Sequence, residues 1–391
     1  MKILFLTSRF PYPPFRGDKL RVFNLIRELS KKHEIILATF AEPDDGRYYS
    51  GLLPYVKRIE RVPFNKKRAY LNAGLGLFSK KPLQVHYYSS PEMRQTVAKL
   101  VEEERPDVIH AHLIRMASYA EPYPEIPKVL DICDSMTLNY ERFLLYRRDL
   151  MSLVYRLEKI RTKSYEGLIP LEFDVSLVIS PHDRDFILSL CPDAELEIVP
   201  NGVDFDYFKP VKAKRQENTM AFMGTMDYFP NVDAMKWFYQ DVIPIIRRTI
   251  PKVKLNIVGS SPTPEIERLG HDPYVTVTGF VEDLRPIVGP ATVFVCPIRA
   301  ATGLNNKVFE AMAMGLPVVA TPEACEGIDV EDGVNVLFAS DPMTFSELII
   351  DLMQDPERRD KIGRAGLEFV KSNFSWESAG KVLAKVYEDI V

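Results

Sequence analysis

Residues 2–40 read KILFLTSRFPYPPFRGDKLRVFNLIRELSKKHEIILATF, and this stretch decides the fold class. KILFLTS is an apolar run of strand length, and the loop RFPYPPFRGD follows it. Leu20, Phe23, Leu25, Ile26 and Leu29 then recur at helical spacing before a second apolar run, EIILATF. Strands that are apolar on both faces are buried on both faces, and a strand–helix–strand order puts them parallel. The apolar run at this start is short for the core of a secretory leader and reads better as a buried strand.

Working outward, the plan repeats. A helix near residues 91–104 precedes the strands DVIHA and KVLDIC. A long helical region near 138–168, the strand DVSLVIS, a short helix after Pro181 and LEIVP complete the first half. The pattern breaks at PNGVDFDYFKP and the charged tract KAKRQEN, which reads as a linker over residues 199–212. It restarts with TMAFMG, the helix DAMKWFYQDVIPIIRR, and the strands KLNIVG and VTVTG. DLRPIV, TVFVCP, NNKVFEAMAMG and PVVAT follow, alternating helix and strand. The expectation is an α/β protein of two doubly wound parallel-sheet domains, 1–198 and 213–374. Such sheets bind ligands beyond the carboxyl ends of their strands, and two of them facing each other would form a central cleft.

Composition agrees with two packed domains. The chain has 391 residues, 46% of them apolar, and 30 prolines that sit mostly at element edges. Its four cysteines, Cys133, Cys191, Cys296 and Cys325, show no CxxC spacing and lie in apolar surroundings, so they read as buried thiols. No stretch approaches the roughly 20 apolar residues of a spanning helix, and the expected location is cytoplasmic. The net charge of −4 hides an asymmetry. Residues 1–200 carry 30 basic and 27 acidic residues, the remainder 20 and 27. Between Lys57 and Lys99 there are ten basic residues and two acids. That region is either a solvated face or a contact for an anionic membrane surface or a phosphate-bearing acceptor. Nucleic acid is a poor partner, since no recognised binding motif accompanies the patch.

Four segments of the second half carry chemistry together. Gly224, Gly259 and Gly279 each follow a strand, where a glycine lets backbone approach a ligand. In TGLNNKVFEAMAMGLPVVAT, Gly303, Lys307 and Glu310 surround a helix start, where free N–H groups and the dipole favour phosphate. Lys307 adds a cation, and Glu310 could accept bonds from two vicinal hydroxyls. In the first half, DVIHAH places His110 and His112 on one strand face, and LDICDSM brings Asp131 and Asp134 near the same strand ends. Either aspartate could orient or deprotonate a hydroxyl, and Asp134 is preferred because it lies further along. Asp204-Phe205-Asp206 has the spacing of a metal-binding DxD, but inside PNGVD it reads as a turn. GxGxxG is absent after the first strand, and GxSxG is absent throughout, which argues against hydride transfer and a serine hydrolase.

PNGVDFDYF, GFVEDLRP and GLNNKVFEAMAMGLPVVAT resemble the retaining GT-B glycosyltransferases of family 4, and the resemblance runs over almost the whole chain. It implies a GT-B fold, an acceptor-binding first domain, a donor-binding second domain, and a last helix, 375–391, that packs back on the first. It implies transfer of a sugar from a nucleotide-diphosphate sugar to a hydroxyl of a glycan or lipid-linked acceptor, with retained configuration and no metal. It also implies surface-glycan synthesis at the inner face of the cell membrane. Carried over, Glu310 holds the donor ribose and Lys307 neutralises the diphosphate with help from Arg299. Gly17, Gly224, Gly259, Val281 and Gly303 line the donor, His112 contacts the sugar, and Asp134 is the acceptor-side carboxylate. Thr302 stands where the family usually has a first glutamate, and Arg16 replaces one of a glycine pair. Two other readings keep the fold: a sugar-nucleotide epimerase or phosphorylase, and a non-catalytic nucleotide-sugar binder.

Overall fold

A computed structural model describes residues 1–14, 17–146, 150–300 and 304–391. The chain divides into two compact units. The first holds Met1–Leu144, Arg148–Asn201 and Trp376–Val391; Leu145–Arg147 and Gly202–Ser375 make the second.

In the first unit, strands β1 (Lys2–Thr7), β2 (Glu34–Ala41), β3 (Arg58–Pro63), β4 (Val108–His112), β5 (Lys128–Cys133), β6 (Val175–Val178) and β7 (Leu196–Ile198) form one parallel sheet. Their order is β3-β2-β1-β4-β5-β6-β7. Strand order therefore reverses between β1 and β4, the place where doubly wound sheets leave a crevice for a ligand. Both faces of the central strands are covered, which is why β1 and β2 read as largely apolar runs. Leu4 and Leu6 face one core, Ile3 and Phe5 the other. Helices α1 (Gly17–Leu29), α2 (Lys66–Leu75), α3 (Pro91–Glu104), α4 (Met136–Tyr146) and α5 (Met151–Glu166) belong to this unit. The helical region read as 138–168 is thus two helices, α4 and α5.

The second unit repeats the plan. Strands β8 (Gln216–Met223), β9 (Lys254–Val258), β10 (Val275–Val277), β11 (Ala291–Cys296), β12 (Val318–Ala320) and β13 (Leu337–Phe338) are parallel, in the order β10-β9-β8-β11-β12-β13. Here the reversal lies between β8 and β11. After β8 comes α6 (Phe229–Trp237), which continues through a π-helical turn, Phe238–Val242, into Ile243–Thr249. Pro244 has no N–H to give the helix ladder, and the wide turn before it absorbs that loss. Helix α7 (Asn306–Ala313) follows β11.

The passage between units is tighter than a linker of 199–212. Val199 lies in the core of the first unit, whereas Val203 and Phe208 lie in that of the second. The last helix, α8 (Trp376–Ile390), packs on α1 and buries Trp376, Ala379, Leu383 and Tyr387. Gly380 allows this approach, since a Cβ there would stand 2.6 Å from the Glu28 Cβ.

Candidate functional site

The strand ends of the second sheet gather most of the donor-side residues. Gly224 follows β8 and Gly259 follows β9, and their backbones nearly touch. A Cβ on Gly259 would lie 1.8 Å from the Gly224 carbonyl oxygen, so no side chain fits there. A Cβ on Gly224 would meet the Asn231 amide at 2.7 Å and Lys307 Cε at 3.3 Å. The two glycines therefore open the floor on which Lys307 lies. Gly279, with φ +66°, turns the chain after β10, and Val281 packs partly buried against the same core. The Thr278 hydroxyl accepts a 3.4 Å bond from the Gly259 N–H, joining this segment to the glycine floor.

Lys307 is in the first turn of α7. Its Nζ donates to Asn231 Oδ1 at 3.0 Å and sits 5.4 Å from the Phe222 ring centre. Burial lowers its pKa, and Cys296 and Glu310 only partly oppose this. Glu310, one turn further, has its carboxyl pushed up to about 7 by burial, with Lys307 pulling the other way. A cation short of counter-charge beside a carboxylate held near neutrality suits a diphosphate next to a ribose diol. Donor binding through the Glu310 carboxylate is then expected to weaken below pH 7 by up to about tenfold per unit, because protonation removes an acceptor. In Glu310→Gln that slope should flatten, as calorimetric titration of a nucleoside diphosphate across pH would read.

Asn231 was not singled out from sequence. It closes the loop GTMDYFPN, where the family resemblance would place a base, and its amide also donates to the Thr225 carbonyl at 2.8 Å. Arg299 is already matched: Asp233 accepts from it at 3.0 and 3.2 Å, and its guanidinium lies 4.8 Å from the Trp237 ring centre. A diphosphate would have to compete with Asp233 for it, which leaves Lys307 as the main cation of this site. Gly303, Thr302 and Arg16 lie outside the described residues. Gly17 opens α1, and a Cβ there would meet nothing within 4 Å, so no close approach requires a glycine at that point.

At the strand ends of the first sheet, His110 and His112 do share a face, with Asp131 beside them. Their roles diverge, however. Tyr387 of α8 bonds His110 Nδ1 at 2.7 Å, and the His110 ring stacks on Phe5, so it is tied into the core. His112 Nδ1 lies 3.0 Å from Asp131 Oδ2. An ionised Asp131 makes that nitrogen the donor and leaves His112 Nε2, buried and without a protein partner among the described residues, as an acceptor. Asp131 is held by Arg21, whose Nε and second terminal nitrogen donate to its two oxygens at 2.7 and 3.0 Å. The remaining nitrogen donates to the Val199 carbonyl at 2.8 Å and Asn201 Oδ1 at 3.0 Å. His110, His112 and Asp131 have ligand atoms close enough for a metal, but Arg21 occupies the carboxylate, so the set is a polar core network.

This network makes Asp131 a positioning group and leaves Asp134 as the freer carboxylate. Asp134 accepts from Asn139 Nδ2 at 2.6 Å, and burial together with Asp183 raises its pKa to about 6. Leu113 and Cys133, just after His112 and just before Asp134, both hold positive φ values, 71° and 68°. Such strain at two adjacent strand ends is a mark of a functional site. Arg21 was missed by sequence reading, although its place in an apolar helix stripe, one turn before Leu25, was the available signal.

Among the described residues, half of the ten basic residues of Lys57–Lys99 are ion-paired. Lys57 pairs with Glu34, Arg58 with Glu60, Glu103 and Glu104, Lys66 with Glu42, and Arg68 with Glu92. Most of those acids come from outside the basic stretch. Asp204 of the DxD-like triplet accepts from the backbone N–H of Asp206 and Tyr207, which is turn chemistry.

Two Rossmann-like parallel sheets in one chain, each reversing order beside its first strand, define the GT-B architecture. Solved structures agree: sucrose-phosphate synthase from Thermosynechococcus elongatus superposes with a TM-score of 0.72 at 18% identity, covering 100% of this chain and 99% of that one. Anabaena HepE, solved in complex with UDP, gives 0.70 at 16% identity with full coverage of both chains. Residues 217–355 match the family model for Glycosyl transferases group 1. The chain thus has the GT-B fold, and its residues 217–355 are similar to the group 1 glycosyl transferases. A GDP-mannose-dependent monoacylated alpha-(1-6)-phosphatidylinositol monomannoside mannosyltransferase of Corynebacterium glutamicum is 30% identical over 242 residues. That match covers 56% of this chain and 63% of the relative's length.

Proposed function

We propose that this protein transfers a sugar from a nucleotide-diphosphate sugar to a hydroxyl of a glycan or lipid-linked acceptor, with retained anomeric configuration and without a metal. The observation that carries the reading is the half-buried pair Lys307 and Glu310 on α7, laid against the side-chain-free floor of Gly224 and Gly259. The relative named as GDP-mannose-dependent and the fold neighbour solved with UDP support a nucleotide-sugar donor.

In this mechanism negative charge grows on the leaving diphosphate, and Lys307 with the first N–H groups of α7 stabilises it there. His112 Nε2 accepts from a sugar hydroxyl, and its orientation is held by Asp131. Asp134, its pKa raised to about 6, orients the incoming hydroxyl. Attack comes from the face the leaving group departs, with a diphosphate oxygen assisting as base. Surface-glycan synthesis at the cytoplasmic face of the membrane, with peripheral contact to anionic lipid, completes the reading. Among the described residues no helix is long and apolar enough to cross a membrane.

The test is incubation with GDP-mannose, UDP-glucose and related donors against lipid and oligosaccharide acceptors, with and without EDTA. Transfer that EDTA leaves intact, with the anomeric configuration retained by NMR, is expected. Interconversion of the donor alone, or donor binding with no transfer to any acceptor, would overturn the proposal.

A further inference from the structure

Helix α5 is inside out. Its buried positions include Ser152, Glu158, Arg161, Thr162 and Glu166, whereas Leu153, Val154, Leu157 and Ile160 face solvent. Leu153 and Ile160 are each 64% exposed. These four recur at helical spacing, so they form one stripe, the reverse of what a helix on a globular surface shows. A second apolar surface lies beside it. Leu71 and Leu75 of α2, then Leu77 and Phe78, are exposed, and Phe78 is 95% exposed.

The buried polar face of α5 joins the two surfaces. Arg161 donates to the Leu77 carbonyl and pairs with Glu158 at 3.5 Å. Glu158 in turn accepts from the Leu83 N–H at 2.8 Å. The segment carrying Phe78 is therefore clamped against α5, and the charged residues that would make α5 an ordinary surface helix are consumed underneath.

The border of this face is basic. Residues 66–81 contain Lys66, Lys67, Arg68, Lys80 and Lys81 and no acid. Arg156 and Lys163 flank the leucine stripe of α5. Among the described residues Lys67, Lys80, Arg156 and Lys163 enter no ion pair, in contrast to Lys57, Arg58 and Arg68. A contiguous exposed apolar face bordered by lysine and arginine matches the acyl boundary and the anionic headgroups of a bilayer.

We propose that the α5 stripe and the Leu75–Phe78 segment insert into the interface of an anionic lipid bilayer, with Lys67, Lys80, Arg156 and Lys163 on the headgroups. This rests on the peripheral-membrane part of the proposed function and names its surface. It moves the contact from the paired basic residues to the apolar face next to them. The binding needs no sugar transfer, so its failure leaves the donor chemistry standing.

The test is sedimentation of the full-length protein with vesicles of equal parts phosphatidylglycerol and phosphatidylcholine, and with phosphatidylcholine alone. Binding to the anionic vesicles is expected, reduced but not abolished by high salt, because the apolar part is not screened. Leu153→Gln with Leu157→Gln, and separately Leu75→Ser with Phe78→Ser, should each lower partitioning by about tenfold or more. All four side chains are exposed, so the thermal midpoint should hold and report an intact fold. No binding to anionic vesicles, or binding unchanged in both variants, would overturn the proposal. So would a concentration-dependent dimer, seen by sedimentation velocity, that the same variants dissolve, since the face would then belong to a second copy.

Discussion

Replacing Lys307 by alanine is expected to weaken nucleoside-diphosphate binding by on the order of 3 kcal/mol, more than a hundredfold in Kd. The size follows from how little else can balance the diphosphate. Arg299 is held by Asp233, and the loop after β8 ends in the neutral Asn231. The same substitution should leave stability unchanged or improved. Burial disfavours the Lys307 charge, and its bond to Asn231 returns only part of that cost. Lost affinity with an undiminished unfolding midpoint is therefore the signature of a lysine kept for its ligand. Isothermal titration and thermal denaturation of one variant read both. An affinity within about threefold of the wild type would remove Lys307 from the donor site.

Arg21→Ala is expected to show the opposite pattern, a stability loss of about 3–5 kcal/mol, because it leaves the Asp131 charge buried without its partner. Arg21 is 1% exposed and Asp131 is fully buried, and the same guanidinium also satisfies Val199 and Asn201. Despite the burial, Arg21 and the two histidines hold the Asp131 carboxyl well below its usual range. A depressed carboxyl contributes stability that is present above the unfolded-state pKa, about 4, and is lost as pH falls through the folded value. Without Arg21, burial raises the same carboxyl, and the sign reverses: stability is then lost as pH rises. The gap between wild type and variant should accordingly narrow on acidification, as urea midpoints across pH would show. Arg21→Lys should not restore the wild-type midpoint, since an ammonium cannot fork across both carboxylate oxygens and still reach two further acceptors. An equal gap at all pH values would mean that packing, not charge, sets the cost.

These two residues also mark how far the sequence could be read. Lys307 and Glu310 are three apart on one helix, so their proximity is a property of local geometry and needs no knowledge of the rest of the chain. Arg21 and Asp131 are 110 residues apart and meet only because β1, β4 and β5 lie side by side in the sheet and α1 packs on that face. Asn231 reaches Lys307 across 76 residues for a similar reason. The pairing inside the basic stretch Lys57–Lys99 was hidden from the sequence for the converse cause: Glu34, Glu42, Glu103 and Glu104 lie outside its window but beside it in space.

By itself, the sequence determined the two parallel sheets, because strands buried on both faces are largely apolar runs, and crossovers between parallel strands are usually helices. It likewise determined the glycines at strand ends and the Lys307–Glu310 pair, all of which are short-range features. Tertiary structure alone decided which charges are spent. It gave Arg299 to Asp233, Arg21 to Asp131 and His110 to Tyr387, and it turned the polar face of α5 inward so that its leucines face out. Helical periodicity specifies that two faces differ, but which of them is buried depends on partners that only the folded chain brings together.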